Sequence, residues 1–222
     1  MDASFFIILF FVLVGVLSLI KTTSGSGKSN PIDSNAKPFQ SSKLISIGSF
    51  KAYQHIGSNQ TKFDFDSTIE YDNVDNSIII LIDGLRFGTK MKINSFQKNS
   101  LIDIIDKAIE WSEKANEAKL TADKLISSIQ AIVSFFFNNE IYNFNSCDIK
   151  FYFYNDADDS TGSKIFLVSN KYDVGGVIIP PSIIWIDNSE FEKVKSIITE
   201  ENIQSSLNEG AEKSKIVDEI LT

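Results

Sequence analysis

The chain has 222 residues, of which 43% are hydrophobic and 12% aromatic, enough for one sizeable core or two small ones. Cys147 is the only cysteine and His55 the only histidine. This excludes an intramolecular disulfide and a cysteine-based zinc cage, and it disfavours a histidine-dependent catalytic triad. The net charge is −8, and residues 44–222 carry 17 basic against 27 acidic side chains, a net −10 that disfavours polyanion binding.

An uncharged apolar run begins at Ser4 and ends at Ile20. Its 17 residues reach the short end of the range for a membrane-spanning helix, about 17–25 residues. No basic segment precedes the run, as a secretory signal would require. We therefore interpret residues 1–20 as an uncleaved transmembrane anchor, with cleavage at the small residues 23–27 as the alternative.

The charges that flank this run predict its orientation. Lys21 and Lys28 follow it while only Asp2 precedes it, so the positive-inside rule predicts a single-pass membrane protein whose main domain is cytoplasmic. Residues 21–43 contain six serines, two glycines and two prolines and few large apolar groups. This composition predicts a flexible linker that keeps the domain near the membrane.

Residues 44–95 alternate apolar and polar side chains and predict several strands. The aliphatic run at 77–82 predicts a central strand covered on both faces, and Asp83-Gly84 after it predicts a tight hairpin turn. The strand after that turn places three basic side chains opposite its core face: Arg86, Lys90 and Lys92.

Apolar residues then recur every three or four positions, which predicts a helix over residues 100–136 that begins with a capping box at Ser100. A break near residues 120–121 would divide it into two shorter helices. The small residues Ala115 and Ala118 predict a close approach at the centre. The approaching element is either the protein's own sheet or, in an intermolecular coiled coil, another chain.

The second half of the chain repeats the order of strands followed by a helix. Residues 148–154 alternate, with Lys150, Tyr152 and Tyr154 opposite the phenylalanines. Further strands are predicted at 164–169 and 177–186, the latter interrupted by two prolines, and a helix follows from position 188 or 189.

These elements predict an α+β protein: an N-terminal transmembrane helix and a soluble domain at 44–200. The domain would consist of two antiparallel sheet-plus-helix halves, at 44–137 and 148–200, with an acidic C-terminal tail or helix at 201–222. The layout of 44–200 resembles the duplicated strands-plus-helix arrangement of Whirly-type and Pur-type single-strand nucleic-acid binders. None of their sequence motifs occurs here, so the layout implies no family.

The candidate ligand-binding residues are the basic and aromatic side chains on the two predicted outer faces: Arg86, Lys90, Lys92, Lys150, Tyr152 and Tyr154. Asp156 and Asp158 after a strand are typical of a phosphotransferase nucleophile and acid, but also of a hairpin turn. The sequence indicates no metal site and no cofactor.

The functional hypothesis is a non-enzymatic, membrane-anchored interaction or scaffold domain that binds a protein partner or itself. It follows from the apolar run, the linker, the acidic domain and the lack of a catalytic set. The first alternative is a ligand or single-stranded nucleic-acid binding module on the basic and aromatic faces, although the domain's charge predicts no nucleic-acid binding. The second alternative is an aspartate-dependent phosphohydrolase.

Overall fold

The computed structural model describes residues 44–56, 59–82, 87–137, 140–158, 162–179 and 181–221. The predicted anchor and linker at 1–43 lie outside these residues, as do Arg86 and the Asp83-Gly84 turn. In the part of the chain that is described, no helix is long and apolar enough to cross a membrane.

Strands and helices alternate in blocks along the chain. The strands are β1 (Leu44–Ile56), β2 (Asn59–Asp72), β3 (Ser77–Ile82), β4 (Phe87–Ile93), β5 (Ala122–Phe137), β6 (Glu140–Asn155), β7 (Lys164–Val168), β8 (Tyr172–Val174), β9 (Val177–Ile179) and β10 (Ile183–Asp187). The helices are α1 (Ser95–Ala118), α2 (Phe191–Ile197) and α3 (Glu200–Leu221), with a 3-10 turn (Asn188–Glu190) before α2. The predicted mixture of helices with a mostly antiparallel sheet is confirmed.

Eight strands of the described chain close into an antiparallel barrel in the order β1-β10-β7-β6-β5-β4-β3-β2. The two sheets that the sequence predicts are joined at both edges, since β5 pairs with β4 on one side and β6 on the other, and β1 pairs with β10. One core cluster accordingly contains residues from both halves of the chain. Strands β8 and β9 form a separate hairpin.

Strand β3 is buried on both faces, as its aliphatic sequence predicts. Ile78, Ile80 and Ile82 point into the core. Ile79 points outward but is also fully buried, and its backbone lies between those of Glu70 and Lys92 on the neighbouring strands. A strand covered on both faces has no need of polar alternation.

The helix predicted over residues 100–136 is correct only in its first half. Helix α1 begins earlier, at Ser95, because the side chain of Asn94 caps it by accepting a hydrogen bond from the Gln97 amide at 2.9 Å. The predicted capping box at Ser100 is therefore wrong. The helix ends at Ala118 because Lys119 adopts a left-handed backbone conformation with φ of 51°.

Residues 122–137 form strand β5, so the second half of the predicted helix is wrong. The chain does change structure near residues 120–121. The segment beyond is rich in β-branched and aromatic residues, which favour strands. Its inward side chains alternate with a period of two: Ile129, Ala131, Val133 and Phe135.

Helices α2 and α3 cover β1 where that strand bulges. Ile47 is the extra residue of the bulge, since Ser46 pairs with Glu70 and Gly48 with Ile69. The Asn202 side chain in α3 donates a hydrogen bond to the Ile47 carbonyl at 3.1 Å. The bulge therefore leaves a carbonyl free of the ladder, and a helix supplies its donor.

The interruption predicted at the two prolines separates β9 from β10. Pro181 stands between the two strands, and they belong to different sheets. The residues before it, Tyr172 and Ile179, pack into the barrel core. The hairpin thus covers the part of β6 that extends beyond the end of β7.

Candidate functional site: an aromatic row on the outer barrel face

A row of aromatic side chains crosses four neighbouring strands on the outside of the barrel. Tyr53 of β1 lies opposite Trp185 of β10, Trp185 opposite Phe166 of β7, and Phe166 opposite Tyr152 of β6. Directly opposed residues of antiparallel strands project to the same face, so the four rings form one line. We call these four residues the aromatic row.

The neighbours of the row residues along each strand point into the core, which fixes the direction of the row. Ile184 and Ile186 flank Trp185, and both are core residues, as is Leu167 beside Phe166. Tyr152 and Phe166 instead join a separate small cluster with Val168 and Ile183. The row therefore belongs to an apolar surface of its own.

Rings on neighbouring strands of this face contact one another. Tyr53 and Trp185 are stacked, with ring centroids 5.6 Å apart and an interplanar angle of 21°. Phe166 lies 5.9 Å from Trp185, and the ring of Tyr154 meets Phe166 edge to face at 5.8 Å. Such pairs stabilise a sheet by roughly 0.5–1.5 kcal/mol each beyond the area they bury.

The tyrosines predicted on an exposed face are largely covered. Tyr152 is only 8% exposed and Tyr154 only 6%, whereas Tyr53, Phe166 and Trp185 are half-buried. The cover comes from β7 and β10, whose Phe166, Val168 and Ile183 pack around Tyr152. Burial, together with the nearby Asp123 and Asp148, raises the pKa of Tyr152.

Trp185 has one further property that distinguishes it within the row. Its indole nitrogen is covered, yet no described residue accepts a hydrogen bond from it. A covered donor without an acceptor costs about 1–3 kcal/mol, and such exceptions are rare in folded proteins. Trp185, the residue that bears this energetic cost, lies between Tyr53 and Phe166 in the row.

Basic side chains border the row. The Lys164 ammonium lies 5.9 Å from the centre of the Tyr154 ring, and Lys164 pairs across the sheet with Tyr154 and Asp187. Lys150 lies opposite Val168. The predicted group of Lys150, Tyr152 and Tyr154 thus lies within and beside the row.

The other predicted basic residues lie elsewhere, on β4, with β5 between them and β6. Lys92 contacts Asp72 at 3.0 Å and Asp75 at 2.5 Å. Burial lowers the pKa of Lys92, but its hydrogen bonds to the two aspartates outweigh this and raise it. Lys90 lies 3.9 Å from Glu70. The six predicted residues therefore do not form one cluster, and Arg86 lies outside the described residues.

A shallow pocket of about 290 Å³ opens beside Lys92. Side-chain amides and hydroxyls line most of it: Asn94, Gln97, Gln130, Asn145, Ser77 and Ser146. Several of these groups bond to each other or to neighbours, as when Ser146 donates to Gln130 at 2.9 Å. The pocket offers polar contacts, among them the Ser77 hydroxyl, which donates a hydrogen bond to the Asp75 carboxylate at 2.5 Å.

Asp156 and Asp158 have the geometry of a turn. Asp156 accepts a hydrogen bond from the Asp158 amide at 3.1 Å, which is the usual way an aspartate closes a turn. Across the described ranges, no three His, Cys, Asp or Glu side chains gather as a metal site would require. Residues 159–161 of this turn lie outside the described ranges, and the phosphohydrolase hypothesis stays a prediction.

The sequence did not identify Tyr53, Phe166 or Trp185 as members of a surface. Trp185 lies in Ile183–Asp187, a strand that is almost wholly apolar, so alternation does not reveal which of its faces points outward. A single sequence carries no information about which strands are neighbours, so the only signal was an aromatic residue in each strand.

Comparison with known proteins adds no assignment. The chain matches no family model, no curated protein and no solved structure.

Proposed function

We propose that this chain is a non-enzymatic, membrane-anchored interaction domain that binds a protein partner through the aromatic row. Residues 4–20 span the membrane once, residues 21–43 act as a linker, and the barrel lies on the cytoplasmic side. The single observation that carries the proposal is the line of aromatic rings across β1, β10, β7 and β6, of which the first three are half-buried.

The composition of the row favours a protein partner. Tyrosine, tryptophan and phenylalanine are enriched at the centres of protein interfaces, where they contribute a large share of the binding free energy. Tyr53, Phe166 and Trp185 retain part of their surface exposed, and the partly exposed Lys150 stands at the border as a polar rim residue would. The exposed parts of the rings are what a partner would cover.

The geometry of the rings opposes the nucleic-acid alternative. Base stacking requires a free ring face, but Tyr53 already stacks on Trp185 and Phe166 adjoins the other side of the indole. The net charge of −10 on residues 44–222 also repels phosphates. We therefore expect no appreciable binding of a labelled single-stranded oligonucleotide in fluorescence anisotropy at physiological salt.

A site-specific photo-crosslinker tests the partner. The full chain, with benzoylphenylalanine in place of Phe166, is irradiated in the cells that make it. A matched control carries the same group at Ile141, which is exposed and lies on β6, eleven residues before the row residue Tyr152. We expect a discrete protein adduct from position 166 only, which disappears when Trp185→Ala is added.

The adduct also identifies the class of partner. An adduct of twice the chain's own mass shows self-association, and one that nuclease shortens shows a nucleic acid and overturns the protein proposal. Equal adducts from both positions, or none from position 166, would contradict a role for the row.

Membrane anchoring has separate tests. We expect the full chain to resist carbonate extraction, whereas soluble protein that begins near Ser26 would show a cleaved signal. Lys171→Cys places a thiol at an exposed site, while the native Cys147 is buried. A membrane-impermeant reagent should label position 171 only after the cells are permeabilised, and labelling of intact cells would reverse the topology.

A further inference from the structure

The two most exposed large hydrophobic side chains among the described residues lie at the same end of the barrel. Phe96 is 79% exposed and Val74 is 69% exposed, well above the other members of this group. Scattered apolar residues on a surface are ordinary, so exposure alone decides nothing. What distinguishes this pair is its position in the barrel.

Val74 and Phe96 occupy the same end of the barrel. Val74 lies in the turn that connects β2 to β3, and Phe96 lies in the first turn of α1, three residues after Ile93. Ile93 pairs with Ile78 at the beginning of β3. The two segments also share the polar pocket, because Asp75 lines it together with residues that flank Phe96.

The chain enters the barrel at this same end. Leu44 is the first residue of β1 and lies opposite Asp72, the last residue of β2 before the turn that holds Val74. The 43 residues that precede Leu44 contain the proposed membrane span and the linker. The linker proposed at 21–43 has 23 residues, and a flexible chain of that length holds its two ends on average about 25–30 Å apart. The linker therefore joins the barrel at the Val74 end.

The charges at this end are largely neutralised within the protein. Asp72 and Asp75 both contact Lys92, at 3.0 and 2.5 Å. Glu200, at the beginning of α3, contacts Lys98 at 2.9 Å. An apolar pair among paired charges meets little electrostatic opposition at a lipid surface.

We infer that Val74 and Phe96 contact the lipid surface and fix the orientation of the barrel against it. The inference rests on the membrane anchoring proposed above. A tether keeps the domain at a high local concentration next to the bilayer, so even a weak contact is populated. Apolar side chains such as phenylalanine enter the boundary between headgroups and acyl chains.

This orientation presents the aromatic row away from the membrane. Tyr53 follows Leu44 by nine residues along β1, which is up to about 30 Å at 3.3 Å per residue. The row would then be accessible to a partner in solution while the opposite end of β1 rests on lipid.

Fluorescence quenching in vesicles tests the contact. The full chain is reconstituted into phosphatidylcholine vesicles that contain a lipid with a nitroxide on its headgroup. An environment-sensitive dye is attached to Val74→Cys or Phe96→Cys, with Lys171→Cys beyond the far end of β7 as the matched control. We expect a loss of fluorescence at positions 74 and 96 and none at 171.

A second variant separates contact from mere proximity. With the dye at the exposed Asn99→Cys, the combined change Val74→Ser and Phe96→Ser should abolish the quenching. Both side chains are exposed, so the variant should unfold at the same temperature as its parent. Equal quenching at positions 74, 96 and 171, or quenching at 99 that survives the serine changes, would overturn the inference.

The same samples distinguish failure of the contact from failure of the anchor. A chain that floats with the vesicles but shows no quenching at positions 74 and 96 refutes the lipid contact and leaves the anchoring intact. A chain that does not float with the vesicles refutes both.

Discussion

The closest packing in the barrel gives a stability prediction that can be worked out from distances. Gly48 lies directly beneath Ile197 of α2, so that a Cβ atom on residue 48 would meet the Ile197 Cγ1 atom at 2.6 Å and two further carbons at 2.9 Å. Carbon atoms in contact normally stay about 3.5–4.0 Å apart. Gly48→Ala must therefore push α2 away from β1 or force Ile197 out of its rotamer.

The expected cost combines two terms. Overpacking of this kind destabilises by about 1–3 kcal/mol, while replacing a glycine removes unfolded-state entropy and returns about 0.4–1 kcal/mol. A net loss of about 1–2 kcal/mol lowers the melting temperature of a domain of this size by roughly 2–8 °C.

Chemical and thermal unfolding of the fragment 44–222, which we expect to fold without the anchor, provides the assay. Gly210→Ala is the matched control, because residue 210 lies in α3 and has no atom within 4 Å of its added Cβ. This change should stabilise the fragment by up to about 1 kcal/mol. The same glycine-to-alanine change should therefore lower the free energy of unfolding at position 48 and raise it at position 210.

A double-mutant cycle identifies the cause. Ile197→Ala alone should cost about 2–5 kcal/mol, because Ile197 is a buried core residue. In that background Gly48→Ala should cost nothing or should stabilise, since the clashing atoms are gone. If Gly48→Ala is harmless in the parent, or equally costly in both backgrounds, the packing argument is wrong.

Three further predictions concern the helix, an ion pair and the thiol. Ala115→Leu should cost about 1–3 kcal/mol in urea unfolding because residue 115 is buried, whereas Ala118→Leu, at an exposed position three residues later, should change stability by less than about 0.5 kcal/mol. Lys92→Met should cost about 3–5 kcal/mol because it removes the ammonium that contacts the buried Asp72, whereas Lys114→Met removes an exposed pair and should have little effect. Burial raises the pKa of Cys147 from 9.0 to about 11, so the folded protein should not react with a disulfide reagent at pH 8 while the unfolded chain reacts fully. Because the thiol pKa is higher in the folded state, the contribution of Cys147 to the free energy of unfolding is complete below pH 9.0 and is lost as the pH rises through about 11. A Cys147→Ser variant should not show this loss of stability.

Much of the barrel could be predicted from the sequence because strand patterns are local. The alternation in β1, β2 and β6 and the aliphatic run of β3 reflect which side of each strand is buried, and that is written in neighbouring residues. The first part of α1 was likewise predictable from its three-and-four spacing. In each of these elements the apolar residues match only one repeat, either the two-residue repeat of a strand or the three-to-four-residue repeat of a helix.

Strand β5 was assigned as helix because its apolar residues satisfy both periods. Leu125, Ile129, Ile132 and Phe136 are spaced as on a helix, while Ile129, Ala131, Val133 and Phe135 alternate as on a strand. Burial of the second set shows which period governs the fold. The choice is made by pairing with β4 and β6, which satisfies the backbone on both sides.

The sequence by itself determined the parts of this protein: strands and helices in blocks, an acidic domain, a single thiol and an apolar N-terminal run. Only the tertiary structure decided what these parts form together. Tyr53 and Trp185 stack although 132 positions separate them, because closure of the barrel places β10 beside β1. Lys92 contacts two aspartates because β3 brings the turn after β2 alongside β4. Local patterns fix which face of a strand is buried, but the neighbour that covers or extends that face depends on strand order and register, which no local pattern contains.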